Sequence, residues 1–427
     1  MGHSGTLEVD SCNKHSLNLV TALRNGGDKS MSQKSNQTDS NTLIFQTALF
    51  IYLISSLFAS SLFESMNLFA TVSKGIRYTA YLLLAWNIIQ SNRYNSGQLI
   101  KYGVGVLISL ISYRVTGEKQ LIFLMLFLMA VANICFTKVL QTYLWANGTG
   151  MLTIFAAYKT GLIPDRIYGI SRCRHSLGYG YPTTVSNYWL YFILVHIAYR
   201  KERLTITEGI ILEGINYYFF LMTDTRNAFA VSTLALVAAY GLRLWKGKHG
   251  RKLLSFSIQY MALLGTICIS TLTFLWNQGG TVITELNYLL SNRLRFSYEG
   301  FQNYGLRLFG QRIEWVGGTR DFSTVYKEYN YVDSSYLQIV LTYGIVVLLL
   351  LIITYTLLGK EIVRAQDWYL GITMVMGALH SIFDPQFLWM QYNIFLLALG
   401  YLLISNREER NEYLFQLRKE GPCNGTK

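Results

Sequence analysis

From residue 43 to residue 405, apolar blocks alternate with short polar turns. A helix that crosses a membrane needs about 20 predominantly apolar residues. The clearest blocks are 43–63, 78–89, 121–135, 183–199, 206–222, 228–245, 253–276, 336–358, 368–383 and 387–405, and shorter ones cover about 100–113 and 139–158. The pattern predicts an all-α polytopic membrane protein with about twelve transmembrane helices. Residues 1–41 are polar, have no helical period and lack the apolar run of a signal peptide, so they read as a disordered cytoplasmic tail. Met31, just ahead of the first apolar block, is a candidate start. Residues 42–405 form the membrane domain, and 406–427 a basic cytoplasmic tail.

Loop charge sets the expected orientation. Arg200, Lys201 and Arg203, then Arg243 to Lys252, then Lys360 and Arg364, and finally Arg407 and Arg410 fall on one side if the spans alternate. That side is expected to be cytoplasmic, with both termini inside. Three segments then face outward: about 161–182, the turn 223–226, and a long loop, about 277–333, between the ninth and tenth spans. Within that loop, 283–290 and 304–315 are candidate short helices at the membrane surface.

Composition agrees. Of 427 residues, 51% are hydrophobic and only 14% charged, which excludes a disordered chain and argues against a soluble enzyme. The formal charge of +13 lies between apolar blocks, as in basic cytoplasmic loops, so nucleic acid is not an expected partner. The five cysteines form no CxxC pair, and no metal site is expected.

The outward segments hold the candidate chemistry. Arg166, Arg172 and Arg174, with His175, lie in the first, Arg226 in the turn, and Arg293, Arg295, Arg307, Arg312 and Arg320 in the long loop. Guanidinium groups bind phosphate oxygens bidentately, although acids such as Glu285, Glu299, Glu314 and Asp333 offer local partners. Arg174 and Arg226 abut spans with no obvious acid to spare. Gly178 and Gly180 suit a tight turn, Pro182 a helix entry, and Thr183 or Thr184 a cap. Asp333 is either a helix N-cap or a general base at the membrane surface. His380 and Asp384, four apart, form either a functional pair or an interfacial contact. His196 reads as packed or paired.

In order and spacing, these segments resemble a family. Arg174-His175-Ser176-Leu177-Gly178-Tyr179-Gly180-Tyr181-Pro182 is similar to the R-x-S-L-G-F-x-x-P-N segment of bacterial polysaccharide repeat-unit polymerases of the Wzy type. Thr223-Asp224-Thr225-Arg226-Asn227-Ala228 resembles their S-x-S-R-x-A turn, and Asp333-Ser334-Ser335-Tyr336-Leu337, followed by Gly344, the segment after their long external loop. Thr183 departs from the family's Asn, and the nearest Asn is Asn187. Related O-antigen ligases carry His where Asp333 stands, which favours the polymerase. An R-x10-G pattern runs from Arg307 to Gly318.

The resemblance implies an enzyme of the outer face of the bacterial cytoplasmic membrane. It would join undecaprenyl-diphosphate-linked oligosaccharide repeat units into capsular, exo- or O-antigen polysaccharide without metal or cofactor. Arg172, Arg174 and Arg226, helped by Arg293, Arg307 and Arg312, would hold the diphosphate. Asp333 would be the base, with His175 second. A flippase and a chain-length regulator of the same pathway are the expected protein partners. The alternatives are a lipid-linked oligosaccharide flippase or transporter, and an O-antigen-type ligase. A metal-dependent lipid-sugar transferase is disfavoured because the first outer loop offers only Glu64.

Overall fold

The structure, a computed structural model, describes residues 40–91, 94–169, 172–244, 248–317 and 329–415. The N-terminal tail up to residue 39, Arg320, the end of the R-x10-G pattern at Gly318, and residues 416–427 lie outside the described residues.

The chain folds almost wholly as helices: α1 (Ser40–Ala59), α2 (Asn67–Gln90), α3 (Ser96–Thr116), α4 (Gln120–Val131), α5 (Phe136–Lys159), α6 (Pro182–Arg200), α7 (Ile206–Thr223), α8 (Arg226–Leu244), α9 (Lys248–Gln278), α10 (Thr281–Leu289), α11 (Arg293–Tyr304), α12 (Ser335–Thr342), α13 (Gly344–Ala365), α14 (Trp368–His380) and α15 (Arg407–Phe415). One two-stranded hairpin pairs β1 (Ile167–Tyr168) with β2 (Arg174–His175) antiparallel. α1, α3, α8, α9 and α13 are long and apolar enough to cross a membrane. Ile206, Ile210, Leu221, Leu349, Ile353 and Leu357 are among many large apolar side chains exposed on the helices. Water would not tolerate so broad an apolar surface, and lipid would. The architecture is that of an all-α, multi-pass membrane protein.

The twelve blocks do not become twelve equal spans. α4, with 12 residues, rises about 18 Å, short of a hydrocarbon core of about 30 Å. Block 336–358 is broken between α12 and α13, where Gly344 has φ +89°. Block 387–405 carries turns and then a 3₁₀ helix, Ile394–Leu403, rather than an α-helix.

The break has a cause in the long loop. Residues 305–317, expected in part as a surface helix over 304–315, form no helix. Their backbone is spent elsewhere: Gln311 N donates to Thr342 O (2.9 Å), Ile345 N to Arg307 O (3.0 Å) and Val346 N to Leu308 O (3.1 Å). The loop thus docks on the α12–α13 junction. The other expected surface helix, 283–290, matches α10.

α12 and α13 are not stacked end to end. α13 has 22 residues, about 33 Å, whereas α14 has 13, about 20 Å, so α14 stops well below the far end of α13. Ser335 bonds to Ser381 and Asp384 just after α14, while Thr342 meets the long loop. α12 therefore climbs from inside the bundle to its far end, and α13 then runs the whole way back.

The basic segments gather at the other end, as loop charge predicts. Lys201 Nζ pairs with Asp367 (2.6 Å), and Arg243 Nη2 donates to Glu202 O (2.9 Å). Buried Glu361 meets Arg364 (2.9 Å), Arg407 (3.2 Å) and Arg410 (3.8 Å), fastening α15 to α13. Glu361→Gln removes the charge that holds three guanidinium groups. It is expected to cost about 2 kcal/mol, read as a lower melting temperature of the purified protein; an unchanged Tm would show that the clasp contributes nothing.

Candidate functional site

The end opposite the basic segments carries two linked polar layers. The outer one is a rim of arginines. α7 ends at Thr223, and Asp224 takes the left-handed conformation (φ +46°) before α8 starts at Arg226. That turn presents the Asp224 carboxylate to two cations. Arg172 forms an ion pair with it, and Arg226 Nε lies 3.3 Å from its Oδ1. Partial burial pushes the Asp224 carboxyl up, but the two guanidinium groups outweigh this and hold it below the usual carboxylate range. Arg174 Nε donates to Thr223 O (2.7 Å), and its guanidinium sits over the Tyr181 ring at 5.7 Å. Three guanidinium groups around one carboxylate leave the rim positive.

The loop behind the rim is fixed by its own sequence. Asp165 accepts from Leu177 N (2.8 Å) and lies 2.5 Å from His175 Nδ1. Gly178, at φ +83°, turns the chain where a Cβ would meet Ile163 and Tyr158. Gly178 O accepts from Leu62 N (2.8 Å), and Gly180 N donates to Ser60 O (2.9 Å), which ties the segment to the end of α1. Pro182 then occupies the first turn of α6. Neither Thr183 nor Thr184 caps that helix. Its N-cap is Tyr181, without a side-chain bond, because the proline starts the helix one residue earlier.

The inner layer lies beneath. Asn287 Oδ1 accepts from Leu294 N and Arg295 N (3.1 Å each), fixing the start of α11 and with it Arg293. Arg293 Nε lies 3.4 Å from Asp333 Oδ2. Asp333 does not cap α12; the N-cap position is Ser334. Burial raises the Asp333 carboxyl above its ordinary range, while Arg293 and Tyr329 pull it back in part. Tyr329 is influenced by both Asp333 and Tyr181, so the inner layer adjoins the rim.

Residues 380–387 are the hub of this layer. Ser335 N donates to Ser381 O (3.0 Å) and Asp384 O (3.1 Å), Ser335 Oγ donates to Asp384 O (2.5 Å), and Phe387 N donates to Ser335 Oγ (2.9 Å). Asn187 Nδ2 donates to Asp384 Oδ2 (3.2 Å). Asn227 Nδ2 donates to His380 O (3.1 Å) and lies 3.0 Å from His380 Nδ1. With Asn227 donating to Nδ1, the imidazole proton belongs on Nε2, which is 3.7 Å from Asp384 Oδ2. That is an electrostatic contact rather than a hydrogen bond. The pair does not share a helix face either, since α14 ends at His380. His380 is fully buried and Asp384 nearly so. Aromatic rings pack around the hub: Tyr188 stacks on Tyr392 at 4.1 Å, and Phe387 packs on Tyr355 (4.8 Å) and Tyr336 (5.5 Å).

Against models of known families, curated proteins and solved structures, the chain has no match. The reading of the site therefore rests on its geometry and on the sequence segments.

Two of the three segments supply a contact to the hub, Asn227 from the second and Ser335 from the third, and Asn187 adds one from the helix that follows the first. Arg172, Arg174 and Arg226 meet around Asp224 and Thr223, and Arg293 meets Asp333. Arg226 is therefore not without an acid, because Asp224 two residues earlier serves both it and Arg172. His175 is held by Asp165. Arg307 and Arg312 are exposed, and Arg312 lines a separate hollow with Arg114 and Glu118 near the α3–α4 turn. His196 pairs with Glu208 at 3.5 Å, toward the basic end. Sequence reasoning missed Asn187 and Asn227 as contacts. The amide next to Arg226 and the ionisable pair at 380 and 384 were the available signals.

Proposed function

We propose that this protein polymerises undecaprenyl-diphosphate-linked oligosaccharide repeat units into a polysaccharide at the outer face of a bacterial cytoplasmic membrane, with the basic end inside. The observation that carries the reading is a half-buried carboxylate, Asp333, paired with Arg293 and lying beside a rim of three arginines. Group transfer from a lipid diphosphate to a sugar hydroxyl calls for both parts. Asp333 takes the proton from the acceptor hydroxyl as its oxygen attacks the anomeric carbon. The bond from that carbon to the diphosphate breaks, and the leaving oxygen keeps the electron pair. Arg174 and Arg226, with Arg172, stabilise the charge that develops there. Arg293 holds Asp333 in position. The lipid diphosphate is already activated, so no nucleotide is consumed. A flippase that delivers the units and a regulator of chain length are the partners this reading calls for.

Deleting the gene in its host tests the reading. Single lipid-linked repeat units are expected to accumulate on the outer leaflet, with no long polymer. Units trapped on the inner leaflet would instead identify a flippase, and normal units and polymer that fail only to reach their final carrier would identify a ligase. Arg226→Ala offers a finer check. Arg226 is 62% exposed and bonded only to Asp224 among the described residues, so the variant should accumulate normally. Polymer formation is expected to fall about 100-fold, the effect of losing one donor to a developing anion. Normal polymer would remove Arg226 from the site.

A further inference from the structure

The basic end carries a cavity that this reaction does not use. It is about 400 Å³ and opens among the 201–203 turn, α8, α9 and α14. Its lining combines apolar Leu242, Leu254 and Trp368 with polar Glu202, Arg243 and Arg251. Arg243 is held rigidly: Nη2 donates to Glu202 O and Leu204 O, and the guanidinium lies over the Tyr240 ring at 5.3 Å. These bonds use one nitrogen and leave the donors on Nε and Nη1. Arg251 is exposed on the first turn of α9 and has no acidic partner among the described residues. The Glu202 carboxylate likewise forms no ion pair among them.

Two guanidinium groups, one of them preorganised, fit a phosphate oxygen pair. Apolar lining from α8 and α9, beside the exposed Leu244 and Leu253, fits an acyl chain. The single carboxylate would repel a purely anionic ligand, but it complements an ammonium group a few bonds from the phosphate. We propose that this cavity binds the phosphodiester head group of a membrane phospholipid, with Glu202 selecting an amine-bearing head. The inference stands apart from the polymerase reading, because it uses neither the rim nor Asp333.

The test is native mass spectrometry of the full chain in detergent, titrated with phosphatidylethanolamine, phosphatidylglycerol or inorganic phosphate. Phosphatidylethanolamine adducts are expected to persist, and Arg251→Ala should weaken them about tenfold, the loss of one charged contact. Glu202→Gln should move the preference toward phosphatidylglycerol. Equal adducts in wild type and Arg251→Ala would overturn the site. Displacement of lipid by equimolar inorganic phosphate would show a site for free phosphate instead. A wild-type preference for phosphatidylglycerol would overturn the role of Glu202.

Discussion

Asp333→Asn is expected to lower polymerisation by about 100- to 10,000-fold, the range that a positioned general base contributes. The substitution keeps the shape and a hydrogen-bonding oxygen for Arg293, so the protein should accumulate and still bind lipid-linked units. The wild-type pH profile provides a second readout. A base works only when ionised, and burial raises the Asp333 carboxyl above the ordinary carboxylate range. The rate should therefore climb as pH rises through that elevated value, and fall away below it earlier than an exposed aspartate would predict. Purified protein with lipid-linked units in proteoliposomes, assayed across pH, would show this limb in wild type and a flat residual rate in the variant. A variant that retains wild-type rate and the same limb would remove Asp333 from proton transfer.

The second large effect is structural. Gly344 turns α12 into α13 at φ +89°, and a Cβ there would lie 2.3 Å from Gly310 N and 2.5 Å from Leu308 O. Both neighbours are backbone, so neither can swing aside. Gly344→Val combines a forbidden conformation with a clash and should cost about 4 kcal/mol or more, enough to prevent accumulation of folded protein. Gly214, on the exposed side of α7, is the control, since nothing lies within 4 Å of a Cβ there. Gly214→Ala should be neutral or slightly stabilising, because alanine is the better helix former. Yield and melting temperature of the two variants decide the matter: equal values would mean that the long loop does not dock on the junction.

Much of the fold was legible because lipid-facing helices advertise themselves by composition. α6 to α8 could be read closely, since Pro182 marks the start of α6 and the expected turn at 223–226 falls on the two residues, Asp224 and Thr225, between α7 and α8. Block 336–358 could not. The residues on both sides of the break are predominantly apolar, and hydropathy does not register a backbone reversal that depends on one glycine and a docked loop. Block 387–405 misled for a related reason. Apolar side chains report burial, and a turn packed inside protein buries them as well as a helix does. The arginine rim was visible from residue type and position. Its electrostatic balance was not, because Asp224 serves two cations, one of them 52 residues away. The hub was the least accessible part: Asn187 and Asp384 are separated by 197 residues, and only the completed bundle brings them together.

The aromatic rings packed around the hub bear on how polar groups are kept inside an apolar bundle. Tyr143, Tyr188, Tyr191, Tyr336 and Tyr355 are each almost wholly withdrawn from solvent. Tyr143 spends its hydroxyl on the Tyr392 carbonyl (2.9 Å), and Tyr336 on that of Ala378 (3.0 Å). A membrane protein that buries carboxylates and amides has to keep water from threading past them, and packed rings with their hydroxyls already bonded serve that end.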